Sequence, residues 1–205
     1  AAVTLGCQSE SLNQIRTLSP RALDNLVYVI GLICAGQNST HMTRSLLAKM
    51  GMSDEERKVA NFSFRSKDPE TGGWPGKICA TTPSKKYILS KEKRLELKPV
   101  YESYRCILCY DQMNVFSDIV CGDPWGIKIK DAKKGYTVVI SRTRKGQELL
   151  VSAEKAGYIS LTELPLDSVS KGQTVDSRHL EKVTLAKSIC TNKGWSSPYP
   201  PLTLS

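Results

Sequence analysis

No run of apolar residues approaches the roughly 20 needed to cross a bilayer as a helix. No basic stretch followed by an apolar core opens the chain, so no signal peptide is visible. Histidine is scarce: only His41 and His179 occur, neither beside a cysteine, which weakens mixed Cys/His zinc ligation. Aromatic residues make up 7% of the chain and are not interleaved with its basic clusters, as base-stacking platforms would be. Internal repeats, phosphate-cradling loops, paired carboxylates and Ser/His/Asp constellations are also missing. These absences exclude a helical membrane span and argue against hydrolase chemistry and a nucleic-acid partner.

What is present is ordinary globular material, 205 residues at 40% hydrophobic and 24% charged, enough for one sizeable core. Lysine and arginine outweigh the acids to a net charge of +9, which favours an anionic partner such as a cofactor, a coenzyme tail or an acidic protein face. The short basic clusters at Lys85-Lys86, Lys91–Arg94 and Lys128–Lys134 read most simply as solvated surface. Seven cysteines cannot all pair within one chain, and they are not spaced as in secreted disulfide scaffolds. A reducing, cytoplasmic compartment with thiolate ligands is the expectation. The chain has no initiator Met and opens on the apolar Ala1–Leu5, which reads as mid-strand, so further polypeptide on the N-terminal side is expected.

Periodicity predicts a buried strand over Ala1–Leu5 and an amphipathic helix over Ser9–Leu18 using Leu12, Ile15 and Leu18. Ser19-Pro20 then opens a helical turn, and Leu26–Ile30 reads as a strand covered on both faces. A helix from Ser39 or Thr40 to about Met50 presents Met42, Leu46 and Leu47 inward. Strands follow at Val59–Phe64, Lys77–Thr81, Lys86–Leu89 and Tyr136–Ser141, with helices at Arg144–Gly157 and Thr174–Ile189. The expected fold is mixed α/β, a central mixed sheet flanked by helices with a cysteine-rich loop. A main domain is expected over 1–165, with a C-terminal helix and tail over 166–205.

The strongest chemical signal is Cys106-Ile107-Leu108-Cys109, two thiols able to grip one metal from a single turn. Half a zinc site, half an iron–sulfur site, a redox dithiol and two structural cysteines all fit this spacing. Cys7 and Cys34 each follow a predicted strand, at the sheet edge where α/β proteins build sites, and could complete a four-thiolate set. Cys121, after an apolar strand, is the substitute if one of these is wrong, while Cys79 and Cys190 read as ordinary thiols. Two Gly/Trp/Pro/Gly turns, Gly73-Trp74-Pro75-Gly76 and Gly122-Asp123-Pro124-Trp125-Gly126, suggest walls for a flat ring, although plain turns with a core Trp explain them equally.

Together these residues resemble the β-subunit family of coenzyme F420 hydrogenases and dehydrogenases, which includes formate dehydrogenase β subunits and 7-hydroxymethyl chlorophyll a reductase. The landmarks are Val3-Thr4-Leu5-Gly6-Cys7-Gln8, Gly31–Cys34, Phe64-Arg65, Gly73–Gly76 and Cys106-x-x-Cys109-x-Asp111. Ser117-Asp118-Ile119 with Gly122-Asp123, and Val138–Thr143 with Gly146, complete the series. The resemblance implies an oxidoreductase component in which Cys7, Cys34, Cys106 and Cys109 hold a 4Fe-4S cluster. It further implies bound FAD, contacted by Arg65, Gly73, Trp74, Gly76, Gly122, Asp123 and Arg142. Coenzyme F420 is the implied organic acceptor, and an electron-carrying subunit the implied partner. Gly6 stands where the family usually has Pro, and the family's usual N-terminal segment is absent from this sequence. The contrasting reading is a non-catalytic four-cysteine zinc module whose basic surface would bind nucleic acid.

The flavin assignment carries the first prediction. Replacing Trp74 with Ala should lower FAD retention while metal content stays unchanged. Equal FAD occupancy in the parent, Trp74→Ala and Trp125→Ala proteins would leave both turns purely structural.

Overall fold

The computed structural model describes residues 1–67, 75–129 and 135–196. In chain order the described elements are β1 (Ala2–Thr4), α1 (Gly6–Leu18), a 3-10 turn (Pro20–Leu23), β2 (Val29–Leu32), α2 (Thr40–Lys49) and α3 (Asp54–Val59). Next come β3 (Asn61–Ser66), β4 (Lys77–Thr81), β5 (Lys86–Leu89), α4 (Lys91–Tyr101) and α5 (Tyr104–Ile107). β6 (Ile119–Gly122), β7 (Val138–Ser141), α6 (Arg144–Lys155), α7 (Leu166–Gln173) and α8 (Val175–Lys193) complete the series. The chain divides into two compact units: Ala1–Gly36 with Ile107–Ile129 and the residues from Tyr136 onward, and Gln37–Cys106 with Lys130–Gly135. Among the described residues no helix is long and apolar enough to cross a membrane.

The first unit is built on a four-stranded sheet ordered β1-β2-β6-β7, with the first two pairings parallel and the last antiparallel. This is the expected mixed sheet. Parallel pairing brings Thr4 opposite Gly31 and Leu32 opposite Cys121, so the carboxyl ends of β1, β2 and β6 lie at one edge. Val29, Ile119, Val120 and Val138 are its buried hydrophobic strand residues.

Two strands differ from their sequence patterns. β1 is an edge strand with one neighbour, so Val3 is 65% exposed rather than buried. β2 starts at Val29, three residues later than the apolar run suggested. The amide of Leu26 bonds the Leu23 carbonyl and Arg16 bonds the Leu26 carbonyl, so the start of that run closes the preceding turn instead.

Helix α1 also begins earlier than its Leu12/Ile15/Leu18 stripe implied, and docks differently. Its buried residues are Gly6 and Ser9, whereas Leu18 is 86% exposed. The Gln8 side chain accepts from the Leu5 amide at 2.8 Å, satisfying one donor at the helix start.

The second unit packs α2 on the antiparallel sheet β3-β4-β5. Met42, Leu46 and Ile78 form one cluster with Phe62, Leu89, Leu97 and Tyr101. Leu47, Met52, Ala80 and Tyr87 form another. The expected inner face of α2 is therefore the one observed. Helix α3 was not anticipated, although Ser53-x-x-Glu56 supplies a capping box, with Ser53 Oγ accepting from the Glu56 amide and Glu56 accepting from the Ser53 amide. Helix α4 holds the basic run Lys91–Arg94, while Leu97 and Tyr101 reach the core. Lys91, Glu92 and Lys93 are thus on the solvated side of an amphipathic helix, while Arg94 is half-buried.

Asp118 ties the first unit's sheet to the helix that follows it. Its carboxylate accepts from the Val29 amide at 2.9 Å and from Thr143 Oγ1 at 2.9 Å, and pairs with Lys145 at 3.1 Å. Burial acts to raise the Asp118 carboxyl, but Val29, Lys145 and Thr143 outweigh it and hold the group below its ordinary value. Asp118→Ala should cost about 1–3 kcal/mol, because it leaves a buried amide without its acceptor. The carboxyl is depressed in the folded chain, so its contribution is complete above the unfolded value of about 3.9 and lost as pH falls through the lower folded value. Urea unfolding at pH 7 and in acid should therefore show a smaller acid penalty for Asp118→Asn than for the parent.

Candidate functional site

The carboxyl edge of the parallel strands is closed by the segment Cys109–Ser117, whose hub is Asn114. This side chain is fully buried and its backbone is left-handed, with φ of 54°. Asn114 Nδ2 donates to the Thr4 carbonyl at 2.8 Å, at the end of β1, and Oδ1 accepts from Ser9 Oγ at 2.6 Å. The Ser117 hydroxyl donates to the Asn114 carbonyl at 2.7 Å. Gly31 makes this insertion possible: a Cβ there would lie 2.5 Å from Asn114 Cγ. The motif therefore has a glycine in β2 so that an amide can cap the neighbouring strand.

The same segment receives the cysteines of the first unit. Gly6 packs against Asp111, so closely that a Cβ would stand 2.5 Å from its carbonyl oxygen, and Cys7 is the next residue. The Cys34 amide donates to the Gln112 carbonyl at 2.9 Å. Cys109 lies two residues before Asp111, with its thiol 3.9 Å from the Asp111 carbonyl. The backbones carrying Cys7, Cys34 and Cys109 thus converge on residues 109–112. Cys106, the last residue of its stretch in the second unit, accepts at Sγ from the Gln37 amide at 3.3 Å. All four cysteines are half-buried and outside any disulfide. Among the described residues, however, no three His, Cys, Asp or Glu side chains are gathered into a metal-holding group.

Asp111, prominent in the cysteine motif but given no role by sequence, organises the turn. Its carboxylate accepts from the Val115 amide at 3.0 and 3.2 Å. Burial raises its pKa above the ordinary carboxylate value, partly offset by the amides of Val115, Asn114 and Met113 and by Arg142. Arg142 Nη2 also donates to the Met113 carbonyl at 2.9 Å. Gln112 Oε1 and Thr4 Oγ1, at the same edge, are buried with no hydrogen-bond partner.

The alternative ligand Cys121 sits within β6, opposite Leu32, and burial pushes its thiol up, away from the thiolate a metal needs. Cys79 and Cys190 are buried, as ordinary thiols would be. Of the flavin candidates, Gly73 and Trp74 lie outside the described residues. Arg65 lies in β3, and Gly76, with φ of 80°, passes the Ser66 carbonyl where the β3–β4 register shifts. Gly122 ends β6, and the space a side chain would need is occupied by Ile33. The Asp123 carbonyl accepts from Gln173 Nε2 at 2.6 Å, and Pro124 behind it is buried. Sequence reasoning missed Ser9, Gln112, Asn114 and Gln173, polar residues whose importance depends on long-range contacts. The one local hint was Asn114 itself, an asparagine suited to a left-handed turn.

The donor chemistry fits a thiolate-ligated cluster. Cys7, Cys34 and Cys109 of the first unit offer soft sulfur donors, and in the second unit an amide already donates to the Cys106 sulfur, the kind of bond that tunes cluster ligands.

Comparison with known proteins bears on the family and the fold. The family model for the C terminus of the coenzyme F420 hydrogenase/dehydrogenase beta subunit matches residues 1–166. The F420-dependent formate dehydrogenase subunit beta of Methanocaldococcus jannaschii is 26% identical over 171 residues, 83% of this chain and 41% of the relative. The coenzyme F420-dependent sulfite reductase of the same organism is 24% identical over 178 residues, 80% of this chain and 25% of the relative. The chain thus spans less than half the length of either. A chain of the F420-reducing NiFe hydrogenase complex from Methanosarcina barkeri shares the fold at a TM-score of 0.59 and 20% identity, over 97% of this chain and 65% of the other.

The hub predicts a specific weakness. Asn114→Ala removes the partners of Ser9 and of the Thr4 carbonyl at a buried site and should cost about 2–4 kcal/mol. Asn114→Gly, which relieves the left-handed backbone but restores neither bond, should recover about 1 kcal/mol of that at most. Chemical denaturation of the three proteins checks the order parent, Gly, Ala.

Proposed function

The chain belongs to the coenzyme F420 hydrogenase/dehydrogenase β-subunit family, and from that membership we propose that it is an iron–sulfur flavoprotein component. In this reading Cys7, Cys34, Cys106 and Cys109 hold a 4Fe-4S cluster, FAD binds nearby, and coenzyme F420 is the organic acceptor. Bound together, the two groups would combine two single electrons and one proton into a hydride for that acceptor.

The observation that carries the reading is the convergence of the Cys7, Cys34 and Cys109 backbones on residues 109–112. The chain's own contribution is placement. Asn114 and Asp111 fix the loop, Gly6 lets Cys7 approach it, and the Cys34 amide is held on Gln112. Gln37 donates to Cys106 Sγ, which stabilises added negative charge on that sulfur. The net charge of +9 suits a pyrophosphate and an anionic coenzyme tail. An electron-carrying subunit or further polypeptide is proposed as the partner, since the family's relatives are longer than this chain.

Anaerobically purified protein should contain iron and acid-labile sulfide in near-equal amounts, with little zinc. Serine at any of the four cysteines should lower both. Stoichiometric zinc without sulfide would instead establish the four-cysteine zinc module. Reduction of coenzyme F420 by the assembled enzyme should slow as ionic strength rises, because steering by a basic surface is screened.

A further inference from the structure

Beyond residue 166, where the family match ends, α7 and α8 meet at a corner that lies against the cysteine loop of the first unit. The corner is sharp. Thr174 links the helices in a left-handed conformation, with φ of 52°. Gly172, two residues earlier, passes the Trp125 carbonyl so closely that any side chain there would overlap it.

Four contacts join this corner to the site. Gln173, 5% exposed, donates through Nε2 to the Asp123 carbonyl at 2.6 Å. Its own carbonyl accepts from Gln112 Nε2 at 3.0 Å, on the residue whose carbonyl holds the Cys34 amide. One turn into α8, Arg178 Nη2 donates to the Ala35 carbonyl at 3.2 Å, one residue past Cys34. The adjacent His179 ring meets Tyr110, which follows Cys109, edge-on at 6.2 Å between centroids and 79° between planes. Two cysteine-bearing segments and the Asp123 turn are therefore gripped by one short stretch, Gly172–His179.

We propose that the α7–α8 corner is a clamp that positions Cys34 and Cys109 for ligation, and that Arg178 is a positioning residue supplying positive charge beside the cluster. The proposal rests on the four-cysteine reading above. A guanidinium's positive charge favours the cluster's more reduced, more negative state. Removing it makes reduction harder. Because the bond from Arg178 to the Ala35 carbonyl is open to solvent, the effect weakens with salt.

The experiment uses the full-length protein with its cluster. Arg178→Gln should lower the cluster's midpoint potential, and Arg178→Lys should restore most of it, a response that a purely structural contact would not produce. Gln173→Ala should speed loss of iron to a chelator several-fold. An unchanged potential in Arg178→Gln, or an unchanged rate of iron loss in Gln173→Ala, overturns the clamp. A parent protein without iron or sulfide overturns the four-cysteine reading instead, and alkylation of Cys34 then carries the test. In metal-free protein both variants should react with iodoacetamide several-fold faster at Cys34. Equal rates would overturn the clamp on their own.

Discussion

A single buried amide, that of Asn114, is the constraint on which the first unit's site depends. An α/β sheet ends its parallel strands in exposed carbonyls, and those carbonyls need donors wherever the edge is covered. Asn114 supplies one to β1 and in return accepts from Ser9 of α1, so a strand end, a helix start and the cysteine loop are fixed at one point. A hydrophobic residue could fill the space but would leave the Thr4 carbonyl and the Ser9 hydroxyl unpaired. In a low-dielectric interior that loss exceeds any gain from packing. The arrangement is therefore intolerant of change.

Close backbone approach is the second device, and it explains two glycines that look unremarkable in sequence. Gly31 makes room for the Asn114 side chain, and Gly6 lets α1 begin directly against Asp111. The latter bears on the departure from the family's usual proline. A side chain at position 6 would press on the Asp111 carbonyl, so this chain brings Cys7 nearer to the loop than a ringed residue would permit without adjustment.

Much of this was legible from sequence where the signal was local. Helix α2 and its inner face, the strands β4 and β5, and α6 with its glycine stop follow directly from periodicity and capping. The strand–helix–strand order of the Cys7 and Cys34 segments fits the observed parallel pairing of β1 with β2. Errors arose where a distant partner overruled the local pattern. The Leu12/Ile15/Leu18 stripe looked like a core face, yet α1 is anchored through Gly6 and Ser9 because their partners, Asp111 and Asn114, lie more than a hundred residues away. Nothing near Ser9 in the sequence announces that contact. The corner at Gln173 was hidden for the same reason, since a glutamine between two helices carries no periodic signal.

Long-range packing also redistributes the weight among the flavin candidates. A glycine offers a flat ligand close backbone approach only if its open side is not already filled by protein. Gly122 has Ile33 against that side, and Gly126, four residues on, has Gly172. Arg142 is engaged at the Met113 carbonyl and acts electrostatically on Asp111, which places it in the support of the cysteine loop. Gly122 and Arg142 thus also have structural roles, in packing and in loop support. In the same turn the Asp123 carbonyl is bonded by Gln173 and the Trp125 carbonyl lies against Gly172, both in α7. A turn braced in this way is a rigid surface, and rigidity is what a redox cofactor asks of its contacts, because electron transfer is easiest when little around it has to move.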